Sequence, residues 1–239
     1  MDASYTEAYA DLYRRHWWWR VREGILLERI RELLGNRAPQ ARILDVGCGA
    51  GLFFDALEQF GRVEGIESDP IAVAQSGKWR SRIYMGEVET FTSDKPFDVI
   101  LALDVVEHIR TPAVMLRHAA RLLAADGRMV ITTPAFNWLW TSHDRLNHHV
   151  KRYTALEMRA LIREAGLHPD NTRYLFQSLV VPKLLVRTME AMRPVPPSLP
   201  RIPPASLNHA LETWFRTEHS IAGWLPFGSS VISVASVGR

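Results

Sequence analysis

The run Ala41–Gly51, ARILDVGCGAG, constrains this chain more than any other stretch. Ile43, Leu44 and Val46 form a short apolar run of buried-strand character. Gly47, Gly49 and Gly51 follow, where the backbone must turn tightly and lie bare against whatever approaches it. Leu52–Leu57 then has the apolar spacing of a helix start. Strand, glycine turn and helix N-terminus make a corner at which a nucleotide can meet unpaired N–H groups. The pattern is Gly-x-Gly-x-Gly with Asp45 in front of it, not Gly-x-Gly-x-x-Gly. An acid there repels a pyrophosphate but suits water or an amino group, so a nicotinamide-dependent dehydrogenase is disfavoured.

Composition narrows the rest. A chain of 239 residues, 47% hydrophobic, can bury one large core, so a single domain over 1–239 is expected. The formal charge is only +3 and no block of five Lys/Arg occurs, so charge gives nucleic-acid binding no support. One cysteine, Cys48, excludes an internal disulfide and fits a reducing compartment. The N-terminal MDASYTEAYADLYRRH is too polar for a signal peptide, and no run of 18 uncharged apolar residues exists, so a cytoplasmic location is expected.

In chain order, Met1–Leu34 reads as helical, with Tyr5, Tyr9 and Tyr13 at four-residue spacing before Trp17, Trp18 and Trp19. Ile25, Leu26, Ile30, Leu33 and Leu34 mark an amphipathic helix ending near Gly35. The aromatics suit either packing on a sheet or a lid over a ligand, and three consecutive tryptophans cannot all face one side. Strand two, Arg62–Ile66, ends in Glu67, 20 residues past Gly47, where a carboxylate can hold a ribose diol. Ser68-Asp69-Pro70 caps the next helix. Short strand Ser81–Met85, apolar strand Phe97–Leu103, a helix from Thr111-Pro112 to about Ala125, and strand Arg128–Thr133 follow. Such alternation implies a parallel sheet covered on both faces.

Taken together these motifs resemble the class I S-adenosylmethionine-dependent methyltransferases of the small-molecule group. LDVGCGAG is similar to that family's first motif, GIESDP to its acidic second motif and GEVETF to the segment along the adenine. FDVILALDVVEHI and GRMVITTPA match its next two strands, so the likeness covers roughly Arg22–Gly166. The resemblance implies a Rossmann-like, doubly wound, mostly parallel seven-stranded α/β sheet with helices on both faces and S-adenosylmethionine as cofactor. It also implies that Gly47, Gly49 and Gly51, with Asp45, line the methionine part of the cofactor. Glu67, with Ser68 beside it, takes the ribose; Glu87 and Val88 meet the adenine, and Leu103 approaches the sulfonium. The RxGxxxER pattern at Arg22–Arg29 is similar to the ubiquinone-pathway O-methyltransferases, which implies that Arg22 pairs with the cofactor carboxylate.

A second cluster follows strand four. If the chain turns helical there, Asp104, Glu107 and His108 fall at i, i+3 and i+4 and share a face. Two carboxylates and an imidazole suit a divalent metal, a metal-free acid/base, or plain capping. In the relatives it resembles, a similar ExxEH segment with a later His binds a metal, although here Asp104 replaces a Glu. His149 is the expected partner of His108, with His143 and His148 as alternates, and His108 or His149 is the candidate base for an oxygen acceptor.

The last third departs from the compact family core. Leu167–Phe176 and Ser230–Val237 suit strands six and seven, the last antiparallel as that family implies. Between them, an insert over 179–226 holds two amphipathic helices, Ser178–Met192 and Asn208–Trp224. Six of the fourteen prolines, at Met192–Pro204, join them. An N-terminal cap (1–36), a core (41–178), this insert and a last strand (229–238) are the expected parts. The insert suits a cap over a small, lipid-like acceptor, a peripheral membrane contact or a homodimer. Two other functions stay open: a cofactor-binding protein without catalysis, and a metal-assisted RNA 2′-O-methyltransferase, against which the missing basic stripe argues.

Overall fold

The computed structural model describes residues 3–193 and 199–238, with residues 3–8 described by backbone alone. Met1, Asp2 and residues 194–198, part of the expected N-terminal helix and of the proline-rich connector, lie outside the described residues. Helices α1 (Ala3–Arg15) and α2 (Trp17–Leu34) precede β1 (Ala41–Val46). The helical N-terminus is broken at His16, which is extended (φ −79°, ψ 132°) and whose ring nitrogen accepts from the Trp18 N–H, capping α2. Trp17 and Trp19 are buried, and Trp18 is half-buried between Arg22 and Phe176. All three tryptophans therefore pack on protein.

After β1 come α3 (Phe54–Leu57), β2 (Gly61–Glu67), α4 (Pro70–Ala74), β3 (Ile83–Met85) and β4 (Phe97–Leu103). Then follow α5 (Pro112–Ala120), β5 (Leu123–Pro134), α6 (Ser142–Leu146), α7 (Ala155–Glu164) and β6 (Leu167–Leu175). Helices α8 (Val180–Met192) and α9 (Ala205–Ala222) lead into β7 (Ser230–Val237). The helix after the glycines is thus a single turn, and its amide dipole is correspondingly short. Helix α5 ends earlier than its apolar pattern suggests. Phe97 on β4 pairs with Leu123, which draws residues 123–125 into a strand interrupted by a bulge.

The seven strands lie in the order β3-β2-β1-β4-β5-β7-β6, parallel except for β7, which runs antiparallel to both neighbours. Alternate residues of the central strands feed two layers, as a period of two requires. Leu44, Ile100, Met129 and Ile131 meet Leu116, Met158 and Ile162 on one face. Ile43, Val99, Leu101 and Val130 meet Val21, Ile25, Leu26 and Ile30 of α2 on the other. Strand order reverses at β1/β4, the crevice where open α/β sheets bind ligands at the strands' carboxyl ends. Helix α9 clamps α2 there: Trp17 stacks on Phe215 at 4.6 Å, and Asn208 accepts from the Trp17 N–H at 2.9 Å.

Candidate active site

The glycine corner sits at the mouth of this crevice. Gly47, Gly49 and Gly51 all have positive φ, and they do different jobs. A Cβ on Gly47 would meet Val105 Cγ2 at 2.6 Å, so that glycine permits loop packing. A Cβ on Gly49 would meet nothing within 4 Å, so its bare backbone faces open space of the kind a ligand fills. Glu67 at the tip of β2 is pinned by two amides: Gly49 N–H donates at 2.7 Å and Asp69 N–H at 2.8 Å. Each carboxylate oxygen accepts one amide and keeps lone-pair capacity for a diol. Ser68 and Glu87 are exposed and Leu103 half-buried, while Val88 is buried with its neighbouring backbone turned into a short 3-10 turn.

Asp45 is buried behind the corner. Burial pushes its carboxyl up to about 7, with Arg22 opposing and Glu67 adding to the rise. Arg22 reaches across from α2, its Nη2 lying 2.8 Å from Asp104 Oδ2 and donating to the Thr132 hydroxyl at 3.0 Å. Asp104 has a left-handed φ of 57°, which an aspartate tolerates. Its N–H donates to the Thr132 carbonyl at 3.0 Å, and its carboxylate accepts from the Thr132 hydroxyl at 3.0 Å. Those bonds to β5 stop a helix from forming. The chain makes only a 3-10 turn at Val106–His108, so Asp104, Glu107 and His108 do not share one helix face. Asp104 turns to Arg22 and leaves the cluster it was grouped with.

The other three candidate ligands do come together. One side-chain donor atom each from Glu107, His108 and His149 lies within 4.8 Å of the others. The rings of His108 and His149 meet edge-on with centroids 4.7 Å apart. His143 and His148 are both exposed and outside this group. Glu107 is fully buried, and neither carboxylate oxygen has a hydrogen-bond partner among the described residues. Burial and the Asp104 charge push its carboxyl well up. Desolvation of the His108 ring, then the neighbouring His149, pushes His108 down to about 4, so it is neutral at neutral pH.

Two residues to which sequence reasoning assigned no role, Asp144 and Arg152, complete the site. Asp144, on the one-and-a-half-turn α6, is fully buried, and its Oδ1 lies 2.8 Å from His149 Nδ1. Arg152, also buried, clasps the same carboxylate with Nε and Nη2, both at 2.7 Å. Burial alone would raise the Asp144 carboxyl, but the bonds from His149 and Arg152 hold it well below the usual range. The loop is fixed to the turn beside it, because Val150 N–H donates to the Glu107 carbonyl at 2.7 Å. Only a sequence signal as weak as Asp144 with His149 and Arg152 in one short loop could have pointed here.

A doubly wound sheet with an open glycine cradle, a pinned acid on β2 and a polar cluster beyond β4 and β5 is the arrangement of an α/β fold whose ligand crevice lies at the strands' carboxyl ends. The chain belongs to the methyltransferase domain family, which it matches over residues 18–171. Among curated relatives, the ubiquinone biosynthesis O-methyltransferase of Bradyrhizobium diazoefficiens is 33% identical over 104 residues, covering 41% of each chain. That of Azorhizobium caulinodans is 36% identical over 100 residues, covering 38% of this chain and 40% of that one. The matched stretch thus spans about two fifths of the length of those relatives. Among solved structures, an S-adenosylmethionine-dependent methyltransferase from Clostridium acetobutylicum superposes with a TM-score of 0.63 at 10% identity over 99% of this chain and 98% of that one. Geranyl diphosphate C-methyltransferase from Streptomyces coelicolor, solved with Mg2+, geranyl diphosphate and S-adenosyl-L-homocysteine, gives 0.56 at 17% identity over 90% and 79%. At such identities these two likenesses speak for the fold.

Proposed function

We propose that the protein moves the methyl group of S-adenosylmethionine to a hydroxyl oxygen of a small, partly apolar acceptor. The observation that carries this reading is the buried Arg152–Asp144–His149 chain beside the cofactor crevice. The names of the O-methyltransferase relatives point the same way. When bound, the cofactor supplies a methyl group already activated on a sulfonium, so the protein's task is alignment, water exclusion and proton removal. Gly49 leaves the backbone bare for the cofactor, Glu67 takes its ribose hydroxyls and Arg22 meets its carboxylate, steadied by Asp104 and Thr132. His149 donates its Nδ1–H to Asp144, so Nε2 presents the lone pair that removes the acceptor's proton. The paired Asp144 stabilises the imidazolium formed in that step. Glu107, His108 and His149 also suit a divalent ion, since an orphaned buried carboxylate and two imidazoles are its usual donors. Such an ion would lower the pKa of an acceptor hydroxyl.

The test is a panel of alkyl-substituted phenols and catechols against matched amines, with methyl-labelled cofactor. Label recovered in methyl ethers supports the reading, and label carried only by amines overturns it. Glu67→Ala should weaken S-adenosylhomocysteine binding at least about tenfold, since a charge-assisted, bidentate contact is lost. Calorimetric titration of both forms checks it.

Asp45 gives a pH dependence of definite sign. In this reading its carboxylate takes the cofactor's ammonium group, so a proton held by Asp45 must leave before binding. Affinity for S-adenosylhomocysteine should therefore fall as pH drops below about 7, approaching about tenfold per pH unit. Asp45→Asn should bind more weakly and lose this dependence. Equal slopes for both proteins would show that Asp45 does not meet the amine.

A further inference from the structure

Helix α8 is docked the opposite way round from an ordinary surface helix. Its polar side faces the protein: Glu190 accepts from the Ser142 N–H and hydroxyl at 2.8 and 2.6 Å, and Arg187 donates to the Asn137 and Trp138 carbonyls. Its apolar side faces out. Val181, Leu185 and Met189 are each 60–67% exposed, and none of the helix's 13 residues is buried. A surface helix normally turns its apolar stripe to the protein, and this one turns its polar stripe there instead. Helix α9 carries a second outward stripe, Leu207, Trp214 and Ile221 at seven-residue spacing, continued by Trp224. Trp214 Nε1 donates at 2.9 Å to the hydroxyl of Ser178, two residues before α8, which ties α9 to the start of that helix.

Charge decides what covers this face. Between 180 and 226 the acids are Glu190, Glu212 and Glu218; Glu212 and Glu218 are buried and Glu190 is half-buried. Glu190 holds Ser142, Glu212 holds Arg20 and Arg216, and Glu218 accepts from the Ser178 N–H at 2.7 Å. Arg193, the residue after α8, and Arg201, four residues before α9, are in contrast exposed and pair with no acid among the described residues. The outer face therefore combines aliphatic side chains, two exposed tryptophans and uncompensated cations. A second copy would set those cations against each other. No helix among the described residues is long and apolar enough to cross a membrane. We propose that the α8–α9 face lies flat on a bilayer rich in anionic lipids, its aliphatic residues in the acyl boundary and its arginines at the headgroups. This inference rests on the surface alone and not on the acceptor chemistry. It does place the bilayer against the helix that is bonded to the Asn137–Arg145 loop, the loop that carries Asp144.

Co-sedimentation of the full chain with phosphatidylcholine vesicles, and with mixed phosphatidylcholine–phosphatidylglycerol vesicles, tests it. The expected result is binding to the mixed vesicles, weakened by added salt and absent on phosphatidylcholine alone. The double variant Leu185→Glu/Met189→Glu should lose about a hundredfold in vesicle affinity, since each apolar side chain contributes about tenfold or more. It should still bind S-adenosylhomocysteine as the parent does, which excludes misfolding. Failure of the parent to sediment with anionic vesicles would overturn the proposal. So would undiminished binding by the variant, or a dimer in analytical ultracentrifugation that the variant splits.

Discussion

Replacing His149 by alanine should lower methyl transfer roughly a hundred- to ten-thousand-fold and leave cofactor affinity unchanged, the usual scale for loss of a positioned general base. The separation follows from geometry. The glycine cradle and Glu67 belong to β1 and β2, whereas His149 stands on the loop beyond β5 and touches His108. His108, neutral with its value pushed down to about 4, offers an alternative proton acceptor only of poor basicity. Single-turnover measurement at saturating cofactor reads the chemical step directly. A variant that binds cofactor normally and turns over at the parent's rate would remove His149 from the mechanism.

Asp144→Ala should be the most damaging single change for stability, costing about 3–5 kcal/mol, because it leaves the Arg152 guanidinium buried without its counter-charge. For a chain of this size that is a fall in melting temperature on the order of 10 °C. Removing both partners together, as Asp144→Leu/Arg152→Met, should cost less than Asp144→Ala alone, since buried apolar pairs of similar volume are tolerated. The sign of the pH effect follows from the same pair. The Asp144 carboxyl is held below its unfolded value, so its contribution is present above about pH 4 and is lost as pH falls further. Thermal denaturation of the parent and the two variants across pH 3–7 checks both statements. Equal melting temperatures for parent and Asp144→Ala would contradict them.

Much of the frame was legible because local signals and the fold agree there. The apolar strands, with Pro70 and Pro112 at helix starts, stand where their chemistry placed them. The glycine corner was legible for the same reason, since positive φ leaves few residue choices. What escaped depends on pairing between distant segments. Asp104 reads as a member of a helical acid cluster until the Thr132 hydroxyl and Arg22 capture it from another strand and another helix. Asp144 reads as an ordinary acid in a short polar loop, and its burial arises only when Arg152 folds back over it. The reversed docking of α8 also lies beyond periodicity, which reports that a helix has two faces but not which one meets the protein.

The central claim is that the corner formed by Asp45, Gly49 and Glu67 holds the cofactor. Isothermal titration of the purified chain with S-adenosylhomocysteine at pH above 7 tests it most directly. The account predicts one site per chain with a dissociation constant of roughly micromolar order. A flat titration under those conditions would contradict it, and the assignment of these residues would fall with it.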